Sequence, residues 1–233
     1  MVFGLNYTEI VNMKSLRPTG LFFLLSLWAS SAFSLVIDPI VTGADMAGME
    51  VTAFFGGGSE SATWGVTSAG LGGPFGEGFS GAASGTDWTL SQQGYTEGNF
   101  DAAAGVLGAW TVTNNTGFTI DSIRIDALIA NIVFDVIFDS EVTPGSDIGR
   151  AYLADPAYIG FTSAVYSNQL NPGYNDLFGS LTINFGNTFA NGLLDGASMR
   201  FLADTDAVIP APGGLWLFAI GLAAMCFRNF GCK

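Results

Sequence analysis

The chain has 233 residues, of which 49% are hydrophobic and only 12% are charged, and its net charge is −13. The length allows one domain of ordinary size, and the apolar content is high enough for a hydrophobic core, which excludes a disordered chain. Between residues 35 and 209 lie 19 of the 20 acidic residues and only three arginines. This span repels phosphates, and we do not expect it to bind nucleic acid.

Residues 1–34 have the pattern of an export signal. A short basic region at residues 13–17 precedes an apolar run at 21–28, and small residues follow at 29–34. The pattern predicts a signal helix that is too short to span a membrane, with cleavage after Ala32 or Ser34. Residues 1–12 fit a signal peptide poorly, so we expect Met13 to be the start. An uncleaved anchor is the alternative.

From residue 35 onward, apolar residues recur with a period of two between clusters of Gly, Asn and Asp, and no long helical pattern competes. We expect roughly ten short strands in this span, separated by turns. Residues 35–207 are therefore predicted to form one all-β domain, an antiparallel two-sheet β-sandwich of jelly-roll-like type. The residues predicted to face its core are Ile125, Phe134, Val136, Phe138, Ile183 and Phe201.

The residue types of this span restrict its catalytic chemistry. The chain has no His, both Cys residues are at 226 and 232, and both Lys residues lie in terminal segments. Serine–histidine, cysteine–histidine and serine–lysine nucleophile systems and zinc sites built on His or Cys are therefore unavailable. Two carboxylates would suffice for a glycosidase, but no pair stands out. We therefore expect a noncatalytic protein. The glutamates considered are Glu50, Glu60, Glu77, Glu97 and Glu141.

Calcium is the cofactor that these residues allow, because it binds oxygen ligands only. Asp204 and Asp206 lie two residues apart before the C-terminal tail, but they lack the Gly and the downstream Glu of an EF-hand loop. Solvated surface carboxylates are the simpler interpretation, and no cofactor is the primary expectation. Other candidate ligands are Asp38, Asp45, Asp147 and Asp155. Five aromatic residues could stack on sugars if they were exposed, although a position in the core or at its rim is the simpler interpretation. They are Trp88, Tyr95, Tyr152, Tyr158 and Tyr174.

The tail, residues 208–233, has the layout of a membrane-sorting segment. Pro210-Ala211-Pro212 precedes fifteen uncharged, mostly apolar residues at 213–227, and Arg228 and Lys233 follow. As a helix this run is about 22 Å long, against a hydrocarbon core of about 30 Å, so spanning requires residues from Val208 onward. The cationic end predicts a transmembrane helix with its C-terminus in the cytoplasm and the acidic domain outside. A buried helix of a soluble fold is the alternative.

The tail resembles the PEP-CTERM sorting signal of bacterial exported proteins, in which a proline motif, an apolar helix and a basic end follow one another. Here Ala211 stands where Glu is commoner. Residues 43–49, 143–146 and 201–206 also resemble recurrent features of mature domains in this family.

The resemblance implies that an exosortase, a membrane protease-transpeptidase, recognises Pro210, Ala211, Pro212 and Arg228. It further implies that the protein passes from a membrane-anchored form to the cell surface or the extracellular polysaccharide matrix. The expected function is that of a noncatalytic surface or matrix protein. The alternatives are a carbohydrate-binding module associated with exopolysaccharide and, third, a carboxylate glycosidase.

Overall fold

The computed structural model describes residues 36–70, 78–100, 107–137, 143–146, 148–158, 160–170, 175–186 and 192–209. They belong to one compact unit, Val36–Pro210. The described residues form fourteen strands in two sheets, and every pair of strands is antiparallel. The predicted all-β fold with two antiparallel sheets is confirmed, and the layout is that of a β-sandwich.

The first sheet has eight strands: β1 (Val36–Asp38), β2 (Glu50–Phe55), β3 (Gly58–Thr63), β8 (Ile120–Asp126), β9 (Ile132–Asp135), β11 (Phe161–Gln169), β12 (Leu177–Gly186) and β14 (Asp204–Ile209). Seven of them follow the order β1-β14-β9-β12-β8-β2-β3, and β11 pairs with β12. The central strand β12 is the longest, and it pairs with β9 and β8 along successive parts of its length. A single turn of 3-10 helix, Leu128–Ala130, separates β8 from β9.

The second sheet has six strands: β4 (Gly65–Ala69), β5 (Phe79–Ser84), β6 (Trp88–Gln93), β7 (Trp110–Asn114), β10 (Leu153–Ala154) and β13 (Ser198–Leu202). Their order is β10-β13-β7-β6-β5-β4, so four strands that are consecutive in the chain lie side by side. In β6, Trp88, Leu90 and Gln92 are buried while Thr89, Ser91 and Gln93 alternate with them. This alternation gives the sheet one apolar face toward the core and one polar outer face.

One hydrophobic core lies between the two sheets. The indole of Trp110 in β7 packs 5.7 Å from the ring of Phe201 in β13 and 6.3 Å from the ring of Phe134 in β9, measured between ring centroids. Because β9 belongs to the first sheet, these contacts join the two layers. The prediction that Ile125, Phe134, Ile183 and Phe201 face the core is confirmed, since each is fully buried.

The core positions predicted for Val136 and Phe138 are not confirmed. Val136 is only partly buried, because it lies beyond the end of β9 at Asp135. Phe138 lies outside the described residues. The same holds for the predicted signal segment at 1–34 and for the tail from Pro210 onward. Within the described part of the chain, no helix has the length and apolarity needed to cross a membrane.

A carboxylate links the two sheets. Glu60 in β3 of the first sheet accepts hydrogen bonds from the backbone N–H of Thr86, at 2.9 Å, and from the indole N–H of Trp88, at 2.8 Å. Thr86 precedes β6, so these bonds connect β3 to the second sheet. Because the hydrogen bonds from Thr86 and Trp88 favour the charged carboxylate, they hold the pKa of Glu60 below its ordinary value.

The first and last strands lie next to each other. Val36 at the start of β1 is the partner of Ile209 at the end of β14, in an antiparallel pairing that continues to Asp38 and Ala207. Val208 and Ile209, which the sequence analysis assigned to the tail, are therefore strand residues of the first sheet. The points at which the chain enters and leaves the described unit are adjacent.

Candidate functional site

The outer face of the second sheet contains a groove of about 330 Å³, and most of its lining side chains are polar. Thr67 and Ser80 on β4 and β5 are joined by a hydrogen bond of 2.8 Å between their hydroxyl oxygens. On the next strands, Ser91 of β6 lies directly opposite Thr111 of β7. Gln93, also on β6, lies opposite Ser80. These residues occupy the outward positions of successive strands, so the groove runs across the strands.

An arginine and an aromatic ring line the same groove. Arg200 on β13 lies opposite Thr111, and its guanidinium donates to the carbonyl oxygen of Phe100 at 3.0 Å. The guanidinium carbon lies 5.7 Å from the centroid of the Phe100 ring, in a cation–π arrangement. Arg200 also forms an ion pair with Asp155, with a nitrogen–oxygen distance of 2.5 Å. Its positive charge is therefore already matched by a carboxylate.

Asp155 is held in its ionised form. Its carboxylate accepts a hydrogen bond from the backbone N–H of Ala157 at 2.9 Å and another from Arg200 at 2.8 Å. The bond from Ala157 and the charge and bond of Arg200 hold the pKa of Asp155 below its ordinary value, against the opposing effect of burial. The groove thus presents hydroxyl and amide groups that both donate and accept, together with a paired arginine. Such a lining suits a neutral ligand with many hydroxyl groups.

The two strongest calcium candidates are buried carboxylates of β14. Asp204 and Asp206 are both almost inaccessible to solvent, so the interpretation of solvated surface acids is wrong for them. β14 pairs with β9 on one edge and with β1 on the other, and Asp204 lies directly opposite Asp135. The Oδ1 atom of Asp204 accepts from the backbone N–H of Thr205 at 2.8 Å and from the hydroxyl of Thr96 at 3.1 Å.

The protonation state of Asp204 affects its ability to bind calcium. Burial, followed by the charge of Glu97, raises the pKa of Asp204 to about 8, with a smaller contribution from Asp135. Asp204 is therefore mostly protonated at neutral pH, and a protonated carboxyl is a poor calcium ligand. In the described ranges no group of three or more His, Cys, Asp or Glu side chains is arranged to hold a metal ion.

The other described candidate calcium ligands each accept hydrogen bonds from neighbouring residues of the chain. The carboxylate of Asp38 accepts from the backbone N–H of Ile40, and that of Asp45 accepts from both the backbone N–H and the hydroxyl of Thr42. Asp155 forms the ion pair at the groove, and Asp147 lies outside the described residues. The structure therefore gives each described carboxylate of this set its own local contacts.

The aromatic candidates for sugar stacking are mostly part of the core. Trp88 is buried, and Tyr152 and Tyr158 are partly buried against the core cluster. Tyr95 is half-buried, and Tyr174 lies outside the described residues. Sequence reasoning missed Phe100 and the row of hydroxyl residues in the groove. The alternation of polar and apolar residues marks the outward positions, but only the strand order shows that they adjoin.

Of the five glutamates considered for carboxylate catalysis, Glu77 and Glu141 lie outside the described residues. Glu50 and Glu97 are exposed, whereas Glu60 makes the hydrogen bonds to Thr86 and Trp88 described above. The predicted sorting residues Pro210, Ala211, Pro212 and Arg228 also lie beyond the described part.

Comparison with known proteins returned no match: no protein-family model, no curated protein and no solved structure matches this chain.

Proposed function

We propose that this protein is an exported, noncatalytic protein of the cell surface or the extracellular matrix, sorted through its PEP-CTERM-like tail. In this proposal residues 1–34 form a signal helix that is removed on export. The tail then forms a transmembrane helix that holds the protein until an exosortase cuts near Pro210-Ala211-Pro212, with Arg228 on the cytoplasmic side. We also propose that the β-sandwich is of jelly-roll-like type.

The position of the folded unit within the chain supports this proposal. β1 begins two residues after Ser34, and β14 ends at the residue before Pro210. The pairing of Val36 with Ile209 then brings the two ends of the unit together. Removal of residues 1–34 and of the chain beyond Pro210 would therefore leave every described strand intact.

Mass spectrometry of the extracellular fraction tests the proposal in a host with an active exosortase. We expect a mature chain that begins near residue 35 and ends between residues 210 and 213. A Pro210→Ala, Pro212→Ala double variant should accumulate in the membrane fraction with its tail intact, because the extended accessible segment is lost. Recovery of a mature wild-type chain that still carries Trp216 to Lys233 would mean that the tail is only an anchor.

A second candidate function is carbohydrate binding, and the groove on the second sheet favours it. Its hydroxyl and amide groups match the alternating donors and acceptors of a neutral sugar, and the ion pair with Asp155 offsets the charge of Arg200.

A Thr111→Val, Ser91→Ala double variant removes two groove hydroxyls and should weaken binding to a neutral oligosaccharide about tenfold, equivalent to about 1.4 kcal/mol. The control is Thr113→Val, on the same strand as Thr111 but outside the groove lining. Equal affinities of the double variant and the control would remove the groove as the binding site.

A further inference from the structure

An exposed phenylalanine is held on a rigid loop between β7 and β8. Phe118 is 71% exposed, the largest value among the described large hydrophobic residues. Its carbonyl oxygen accepts a hydrogen bond of 2.8 Å from the side-chain amide of Asn114, which is fully buried. The preceding residue, Gly117, has a positive φ of 76° and donates its N–H to Asp195 at 2.8 Å. The backbone that carries the exposed ring is therefore fixed in place.

The ring of Phe118 lines a cleft of about 600 Å³ at one end of the first sheet. The cleft lies between this loop and the turn that joins β2 to β3. Its volume is within the range of about 300–1,000 Å³ that is typical of ligand pockets. The other lining residues are Phe55, Gly56, Gly57, Gly58, Thr119 and Asp121.

The three glycines of this cleft are not required by the fold. A Cβ atom built on any of Gly56, Gly57 or Gly58 has no neighbouring atom within 4 Å, and none of the three has a left-handed φ. At Gly81, by contrast, a Cβ would lie 2.1 Å from the carbonyl oxygen of Gly43. Neither backbone conformation nor packing therefore accounts for the run of glycines. Its effect is to leave the side of the cleft free of side chains.

We propose that this cleft binds a pyranose ring of a neutral glycan. The ring of Phe118 offers an apolar face to the C–H groups of the sugar, and the hydrogen bonds that hold its backbone lower the entropy lost on binding. Asp121 and Thr119 lie beside the ring and can hydrogen-bond to sugar hydroxyls. Among the described residues that line the cleft, only Asp121 is charged, and the chain has a net charge of −13, so anionic sugars are disfavoured.

This site is separate from the groove on the second sheet. The two have no lining residue in common, and their side chains come from different sheets. The cleft therefore binds its sugar whether or not the groove binds one. With both sites occupied, a single domain would hold two stretches of glycan.

Two variants test the cleft in the full-length protein. Phe118→Ala removes the stacking surface, and Gly57→Leu adds a bulky side chain at a lining position where a Cβ meets no other atom within 4 Å. Ile40→Ala is the control, because Ile40 is 62% exposed and lies outside the cleft lining. All three should keep the wild-type melting temperature, since none changes a buried contact.

Binding is measured by calorimetry with neutral gluco-, manno- and galacto-oligosaccharides and with an oligouronate. We expect at least one neutral probe to bind, with affinity reduced about tenfold or more in Phe118→Ala and Gly57→Leu and unchanged in Ile40→Ala. The proposal is overturned if no neutral probe binds, if the oligouronate binds more tightly, or if both cleft variants bind as the wild type does. In the last case the carbohydrate-binding function would survive and its site would lie elsewhere.

Discussion

Replacing Asp204 by Asn should make the protein less sensitive to pH. Burial and the charge of Glu97 raise the pKa of Asp204 from its ordinary value of 3.8 to about 8 in the folded protein. Between these values the folded state binds a proton that the unfolded state does not. The stabilisation from this proton is complete below pH 3.8 and is lost as the pH rises through about 8. Asn cannot titrate, but its oxygen can still accept from Thr96 and Thr205.

The size of the effect follows from the difference between the pKa values of Asp204 in the unfolded and folded states. Each pH unit between the unfolded and folded pKa values is worth about 1.4 kcal/mol. From about pH 4 to about pH 7 the wild type should therefore lose about 4 kcal/mol relative to Asp204→Asn. For a chain of this size that is about 8–16 °C in Tm. Because Asp204 is only 1% exposed, solvent screening does little to reduce this value.

Calorimetric unfolding of both proteins at several pH values measures this difference. Subtracting the variant curve from the wild-type curve cancels the contributions of the other carboxylates. Asp155→Asn provides a control of opposite sign, because its lowered folded pKa gives stability that is lost as the pH falls. Parallel wild-type and Asp204→Asn curves between pH 4 and pH 8 would refute a protonated buried Asp204.

Three further predictions concern core packing, the hydrogen bonds of Glu60 that link the two sheets, and calcium binding. Phe134→Ala should reduce the free energy of unfolding by about 3–5 kcal/mol, because the ring is fully buried against Trp110; a loss below about 1 kcal/mol in urea titration would contradict this. Glu60→Ala should cost about 1–3 kcal/mol, since the indole N–H of Trp88 loses its acceptor, and unchanged urea unfolding would contradict it. Millimolar Ca²⁺ should raise Tm no more than Na⁺ at equal ionic strength, because Asp204 is buried and protonated; a larger shift with Ca²⁺ would show specific binding.

The strands with regular alternation could be predicted from sequence because one face is buried and the other is wet. In β8, Ile123 and Ile125 lie two positions apart and both face the core. The structure pairs Ile123 with Ile183 of the neighbouring strand β12. β9 does not follow this pattern, since all four of its residues are buried. It lies inside the first sheet, with β12 and β14 as neighbours, and its one polar residue, Asp135, is buried and so does not mark an outward face.

Burial of the carboxylates could not be predicted from residue type. Acidic residues in an acidic chain are usually solvated, because burying a charge is unfavourable. Asp204 avoids much of this cost by binding a proton, because burial and the charges of Glu97 and Asp135, which come from other parts of the chain, raise its pKa. The cleft lined by Phe118 could not be predicted from the sequence either. Phe118 and the glycines at 56–58 are more than fifty residues apart, and only the pairing of β2 with β8 brings them together.

The position of β14 limits where a sorting protease could cut. Residues 204–207 of this strand pair with β9, and residues 207–209 pair with β1. A protease requires an extended and accessible segment, so cleavage within β14 would first require the strand to separate from β1 or, nearer its start, from β9, where Asp204 and Thr205 are buried. Pro210 is the first residue beyond this pairing. If an exosortase processes the tail, the folded sheet therefore confines the cleaved bond to the C-terminal side of Ile209.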